Sequence, residues 1–157
     1  MEICFKKIRE KEHVISCKRK DGSDTWMKTD EFFVMHDLMH YAVETTLHYK
    51  TAFYGMLAQG VSITDFELPK NERTFSLTKE AGFAENIVNV LFIELRQQKF
   101  PDFNSTITEI YRMNNYSEEP PLLTEIQLQN IRAKFHELCA KWNSLKTNET
   151  LQLMFDE

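Results

Sequence analysis

The sequence predicts an α+β fold in which an N-terminal antiparallel β-ribbon of two or three strands packs on a bundle of four or five helices. Its 157 residues include only four glycines and four prolines, less than half the usual share of roughly 12%. So few turn residues argue against a sandwich, barrel or propeller. The first thirty residues alternate in part as strands do, and the apolar residues that follow have helical spacing. We expect one domain over residues 1–157.

The predicted β-ribbon covers residues 1–30. Its first apolar residues alternate in part with lysine and arginine, and residues 14–17 form a short β-prone run. Asp21-Gly22 is a hairpin-turn signal that would bring another strand alongside. Because a ribbon alone is only marginally stable in water, we expect it to pack on the helices that follow.

The helical part covers residues 34–146, and we expect residues 147–157 to form a tail. Apolar spacing predicts helical segments over residues 34–60 with a break near 48–50, 78–98, 106–115 and 124–145. Capping-box spacing marks the start of the last two, at Thr106 and Thr124. The segment over 78–98 is almost wholly apolar in its middle, which predicts that it is the central, buried helix.

An apolar seam runs along the last predicted helix with alternating spacings of three and four. Its members are Leu128, Ile131, Phe135, Leu138, Trp142 and Leu145. Such a seam suits another helix. The ordinary interpretation is that the seam packs against another helix of this domain. The alternative is a homodimer that forms through the last helix.

Charge and cysteine content narrow the function classes. The net charge of −5 argues against general nucleic-acid binding, which usually requires a basic surface. The three cysteines are scattered and form no C-x-x-C motif, so we expect free thiols in a reducing compartment. Neither a signal peptide nor an apolar run of about 18 residues is present, so we expect a cytoplasmic protein without a membrane partner.

The glycine spacing excludes dinucleotide and kinase-type loops, and no nucleotide cofactor is expected.

Histidines and carboxylates recur at one-turn intervals in the first predicted helix. His36, His40 and Glu44 are spaced i, i+4, i+8, which places them one above another, and Asp37 borders the same stripe. Two imidazoles one turn apart can share a metal ion, and a carboxylate can add an oxygen ligand. His36, His40, Glu44 and Asp37 are therefore candidate ligands of a divalent metal ion. Zinc is favoured because it accepts nitrogen and oxygen ligands.

This stripe supports a metal-dependent hydrolase in which Glu44 or Asp37 is a third ligand or the base that activates a bound water. Each residue also has a more ordinary explanation. Asp37 can complement the helix dipole, and His40 and Glu44 can form an exposed pair. His36 can pack against Phe32 or Tyr41. The alternative function is a non-catalytic helical binding or regulatory module that uses the basic ribbon or the seam of the last helix. Whether the protein is an enzyme stays open.

Polar residues interrupt the apolar run of the helix predicted over 78–98. They are Glu85, Asn89 and Glu94. A buried polar group needs a partner. Glu85 is the best suited of the three to complete a metal site, because a carboxylate is a better ligand than an amide. The more ordinary interpretation is that Glu85 lies on the surface. Gly55 lies inside a predicted helix, and we expect it to pack closely against the helix that carries His36 and Glu44.

The segment HDLMHYAVE over residues 36–44 is followed by FYG at 53–55 and AQG at 58–60. Together they resemble an uncharacterised family of small bacterial proteins, whose signature is similar to HDLxHFxVE with a G-[FW]-x-G-x-x-A-x-G stretch after it. The chain has Met35 where that family has proline, and Thr51 or Ala52 where it tends to have glycine. The resemblance implies a bacterial protein and draws attention to the 36–44 segment, but it implies no reaction.

Overall fold

The computed structural model describes residues 1–9 and 11–156 and confirms the α+β class. Within these residues, five α-helices, one 3₁₀ helix and four strands follow one another. In order they are β1 (Glu2–Arg9), β2 (Glu12–Lys18), β3 (Asp24–Thr29), α1 (Glu31–Leu47), α2 (Phe53–Ala58), the 3₁₀ helix (Ile63–Glu67), α3 (Lys79–Arg96), α4 (Phe103–Met113), α5 (Glu125–Ser144) and β4 (Thr150–Met154).

The strands form one antiparallel sheet in the order β3-β2-β1-β4. Inward-facing residues such as Phe5 and Ile15 are fully buried against the helices. They alternate with more exposed residues along the strands, as expected of a sheet that has one face in solvent. The fourth strand corrects the expectation of a C-terminal tail over 147–157. Strand β4 pairs with β1 and buries Leu151, and Tyr41 of α1 donates a hydrogen bond to the Met154 carbonyl at 2.7 Å.

Helix α1 occupies the centre of the domain. It contacts α2, α3, α5 and strand β2, whereas α3, which the apolar run marked as the central helix, leaves Ile93 and Leu95 exposed. The Asp30 side chain caps α1 by accepting the Phe33 N–H at 3.0 Å. The helix ends at His48, which has a left-handed backbone with φ of 57°, so the break predicted near 48–50 is confirmed.

The two predicted capping boxes have different outcomes. Thr124 and Gln127 form the predicted box at the start of α5. The box at Thr106 is wrong, because α4 begins three residues earlier and Asp102 accepts the Ser105 N–H at 3.0 Å. Aspartate caps a helix as well as threonine does, so spacing alone did not distinguish the two starts.

The seam of α5 is internal. Its residues Leu128, Ile131, Phe135, Leu138 and Trp142 are buried, and α5 packs along α1. Leu145, the last member of the seam, is half-buried. The seam therefore packs mainly inside this domain, and a homodimer through the last helix stays a prediction. Among residues 1–9 and 11–156, no helix combines the length and apolarity that crossing a bilayer requires.

Gly55 lies against the backbone of the segment between α1 and α2. A Cβ at this position would overlap the Lys50 carbonyl group, so the close approach involves that segment and not the body of α1. We expect Gly55→Ala to lower the free energy of unfolding by about 2 kcal/mol or more, because a backbone carbonyl cannot step aside as a flexible side chain can. Urea denaturation monitored by circular dichroism measures this.

Gly82→Ala is the matched control. Gly82 also lies in a helix, but a Cβ there meets no atom within 4 Å. Alanine should stabilise α3 by about 0.5–1 kcal/mol, because it loses less backbone entropy than glycine. Equal effects of the two substitutions would contradict the assigned role of Gly55.

Candidate metal centre

Two histidines from α1 and one glutamate from α3 meet where these helices pack together. The imidazole rings of His36 and His40 lie one turn apart with their centroids separated by 4.8 Å. The Glu85 Oε2 atom lies 3.1 Å from His40 Nε2 and 3.9 Å from His36 Nε2. One candidate ligand atom from each of the three side chains lies within 4.8 Å of the others. This group could hold a metal ion.

The spacing of these atoms is close to that of a coordination shell. Zinc bonds to nitrogen and oxygen of 2.0–2.2 Å in a tetrahedral site place two ligand atoms about 3.4 Å apart. The two distances from Glu85 Oε2, 3.1 and 3.9 Å, lie on either side of that value. The Glu85 side chain is 51% exposed.

Glu44 lies on the opposite side of the His40 ring from Glu85. Its Oε1 atom is 3.1 Å from His40 Nδ1, and its Oε2 atom accepts the backbone N–H of Tyr54 at 2.9 Å. The carboxylate is fully buried, and both of its oxygens are occupied. Glu44 therefore holds the orientation of His40 and does not face the position where a metal ion or its water would be. Carboxylates often fix metal-binding histidines in this way.

Asp37 has a similar relation to His36. Its Oδ1 atom lies 3.5 Å from His36 Nδ1, on the side of the ring away from Glu85. Tyr54 fixes the backbone at this point by donating its hydroxyl to the Asp37 carbonyl at 2.9 Å. Both histidines thus direct Nε2 towards Glu85 and Nδ1 towards a carboxylate. The structure brings His36 and His40 together as the sequence predicted and places Glu44 and Asp37 behind them.

The electrostatics favour a positive charge between the carboxylates. Burial by itself lowers the pKa of His40, but hydrogen bonds and charges from Glu44 and Glu85 outweigh burial and raise it to about 9. The hydrogen bond from His40 lowers the pKa of Glu85 to about 2. Burial raises the pKa of Glu44, although His40 opposes this shift. These shifts favour a protonated His40 ring that donates to both glutamates.

Glu85 reaches the histidines because of its place on α3. Asn89, one turn further along, donates its side-chain N–H to Glu85 Oε1 at 3.1 Å and leaves Oε2 to face the imidazoles. The sequence identified Glu85 as the residue best suited to complete a metal site. It could not show that Glu85 lies beside His36 and His40, because that depends on the register between α1 and α3.

The group opens to solvent on one side. The His40 side chain is 5% exposed and His36 is 20% exposed, whereas Glu85 is half-exposed. Three protein ligands leave at least one coordination position free for water or another molecule, an arrangement typical of catalytic metal sites.

Comparison of the chain with protein-family models, curated proteins and solved structures finds no match. The resemblance of residues 14–60 to a bacterial family therefore stays a prediction.

Proposed function

We propose that this protein binds one divalent metal ion through His36 Nε2, His40 Nε2 and a Glu85 carboxylate oxygen, with zinc as the preferred ion. The observation that carries the proposal is the convergence of these three atoms within 4.8 Å. Two imidazoles and one carboxylate are a donor set that zinc accepts readily. The carboxylates on the Nδ1 side of both rings support it further, since such partners fix the ring orientation that a metal ion requires.

We further propose that the site supports hydrolysis. An ion with a free coordination position lowers the pKa of a bound water and polarises a carbonyl or phosphoryl oxygen. Glu44 is not the base in this scheme, because its two oxygens are bonded to His40 and Tyr54. The same reasoning excludes Glu85, because its Oε2 would bind the ion and its Oε1 accepts the Asn89 side-chain N–H, so the scheme assigns no protein base.

Metal analysis of protein purified without a histidine tag tests metal binding. We expect one zinc ion per chain after dialysis against zinc, and none in the double variant His36→Ala/His40→Ala, which lacks both nitrogen ligands. His136→Ala is the control, because His136 is exposed on α5 and its loss should leave the zinc content unchanged. Circular dichroism verifies that the variants fold.

Two results would contradict the proposed metal site. Equal, substoichiometric zinc in the wild-type protein and the double variant would show that the three atoms do not form a metal site. Retention of one zinc per chain by the double variant would place the ion elsewhere, with the same consequence.

A further inference from the structure

Aromatic rings border the histidine pair. The His36 ring lies beside Phe32, at a centroid distance of 6.3 Å, and Phe92, at 5.8 Å. These two phenylalanines also contact each other at 5.9 Å. Phe53 lies 5.6 Å from the His40 ring. The candidate ligands are thus in contact with apolar surface on both sides along the helix.

Part of this aromatic surface is exposed to water. Phe32 is 48% exposed and Phe33, its neighbour in the first turn of α1, is 54% exposed. Each exposed ring forgoes the roughly 25 cal/mol per Å² that burial of apolar surface provides. Phe32 has its apolar surface uncovered next to a polar group that includes the half-exposed Glu85. Ligand sites combine such apolar surface with a small number of placed polar groups.

We propose that the metal centre binds a small molecule that joins a metal-binding carbonyl-type group directly to an aromatic ring. The carbonyl-type oxygen fills the free coordination position, and the aromatic ring packs on Phe32. The centroids of Phe32 and His36 are 6.3 Å apart, a span that a ring bonded to a chelating group covers without a linker. This inference rests on the proposed function, because it requires the bound ion.

Calorimetric titration of the zinc-loaded protein with two hydroxamates tests the inference. Acetohydroxamate and benzohydroxamate share the chelating group and differ in the ring. We expect benzohydroxamate to bind about tenfold more tightly, as one buried aromatic contact implies. In Phe32→Ala this preference should fall below about threefold, and Phe32→Leu should restore part of it by supplying apolar surface.

The control is Ile126→Ala, since Ile126 is 70% exposed on α5 and should leave the preference at its wild-type value. Each protein is titrated with zinc first. An unchanged preference in Phe32→Ala, with zinc bound normally, would overturn the assigned ligand class and leave the metal site intact. Failure of the wild-type protein to bind zinc would overturn both proposals, so the two failures are distinguishable.

Discussion

Replacing Arg132 with methionine should lower the free energy of unfolding by about 3–5 kcal/mol. Arg132 on α5 forms a bidentate ion pair with Glu94 on α3, with nitrogen–oxygen distances of 2.9–3.1 Å. The two side chains are only 14% and 5% exposed. Glu94 Oε1 also accepts the Phe100 N–H at 3.1 Å. The substitution would leave a buried carboxylate without its counter-charge, which is the costly way to break such a pair.

Urea denaturation of the metal-free protein measures this loss. Lys141→Met is the matched control, because Lys141 on the same helix pairs with Glu137 where both side chains are more than half exposed. Exposed pairs contribute little, so that variant should unfold close to the wild type. The double variant Glu94→Gln/Arg132→Met should recover part of the loss, since no buried charge remains. A change in Arg132→Met no larger than in the control would contradict the assigned role of the pair.

The Glu94 pair illustrates what the sequence could and could not predict. A glutamate in an apolar stretch of α3 indicated a buried polar group that needs a partner. Arg132 lies 38 residues away, and no local pattern connects the two. The same limit applies to β4, whose five residues form a strand because the free edge of β1 accepts them. Pairing between distant segments is a tertiary property.

The sequence likewise predicted one part of the candidate metal centre and not the other. The spacing of His36 and His40 is local to one helix, so periodicity predicted their common face. Periodicity also placed Glu44 on that face, but it could not show that Glu44 would be buried with its oxygens on His40 Nδ1 and the Tyr54 N–H. The opposite side of the His40 ring received Glu85 because α3 packs against α1. Local spacing therefore identified two candidate nitrogen ligands, and helix packing determines which carboxylate faces them.

The affinity for zinc should rise about tenfold per pH unit and about a hundredfold between pH 6.5 and pH 8.5. The pKa of His40 is raised to about 9, so below that pH its ring carries a proton on each nitrogen. Zinc must displace the proton on Nε2, while Glu44 keeps the hydrogen bond from Nδ1. Zinc binding is therefore weakest at low pH, and the affinity stops rising with pH above about pH 9. Glu85, with its pKa lowered to about 2, stays ionised throughout and adds no slope.

Competition with a chromophoric chelator of known pH dependence measures the affinity at each pH. Calorimetry at pH 7.5 in two buffers with different ionisation enthalpies counts the protons, and we expect about one released from His40 per zinc bound. His136→Ala should reproduce the wild-type slope, because its ring lies on the surface of α5. A pH-independent affinity with no proton release would mean that zinc does not replace the His40 proton. The positive charge between Glu44 and Glu85 would then be structural, and the bound ion would have other ligands.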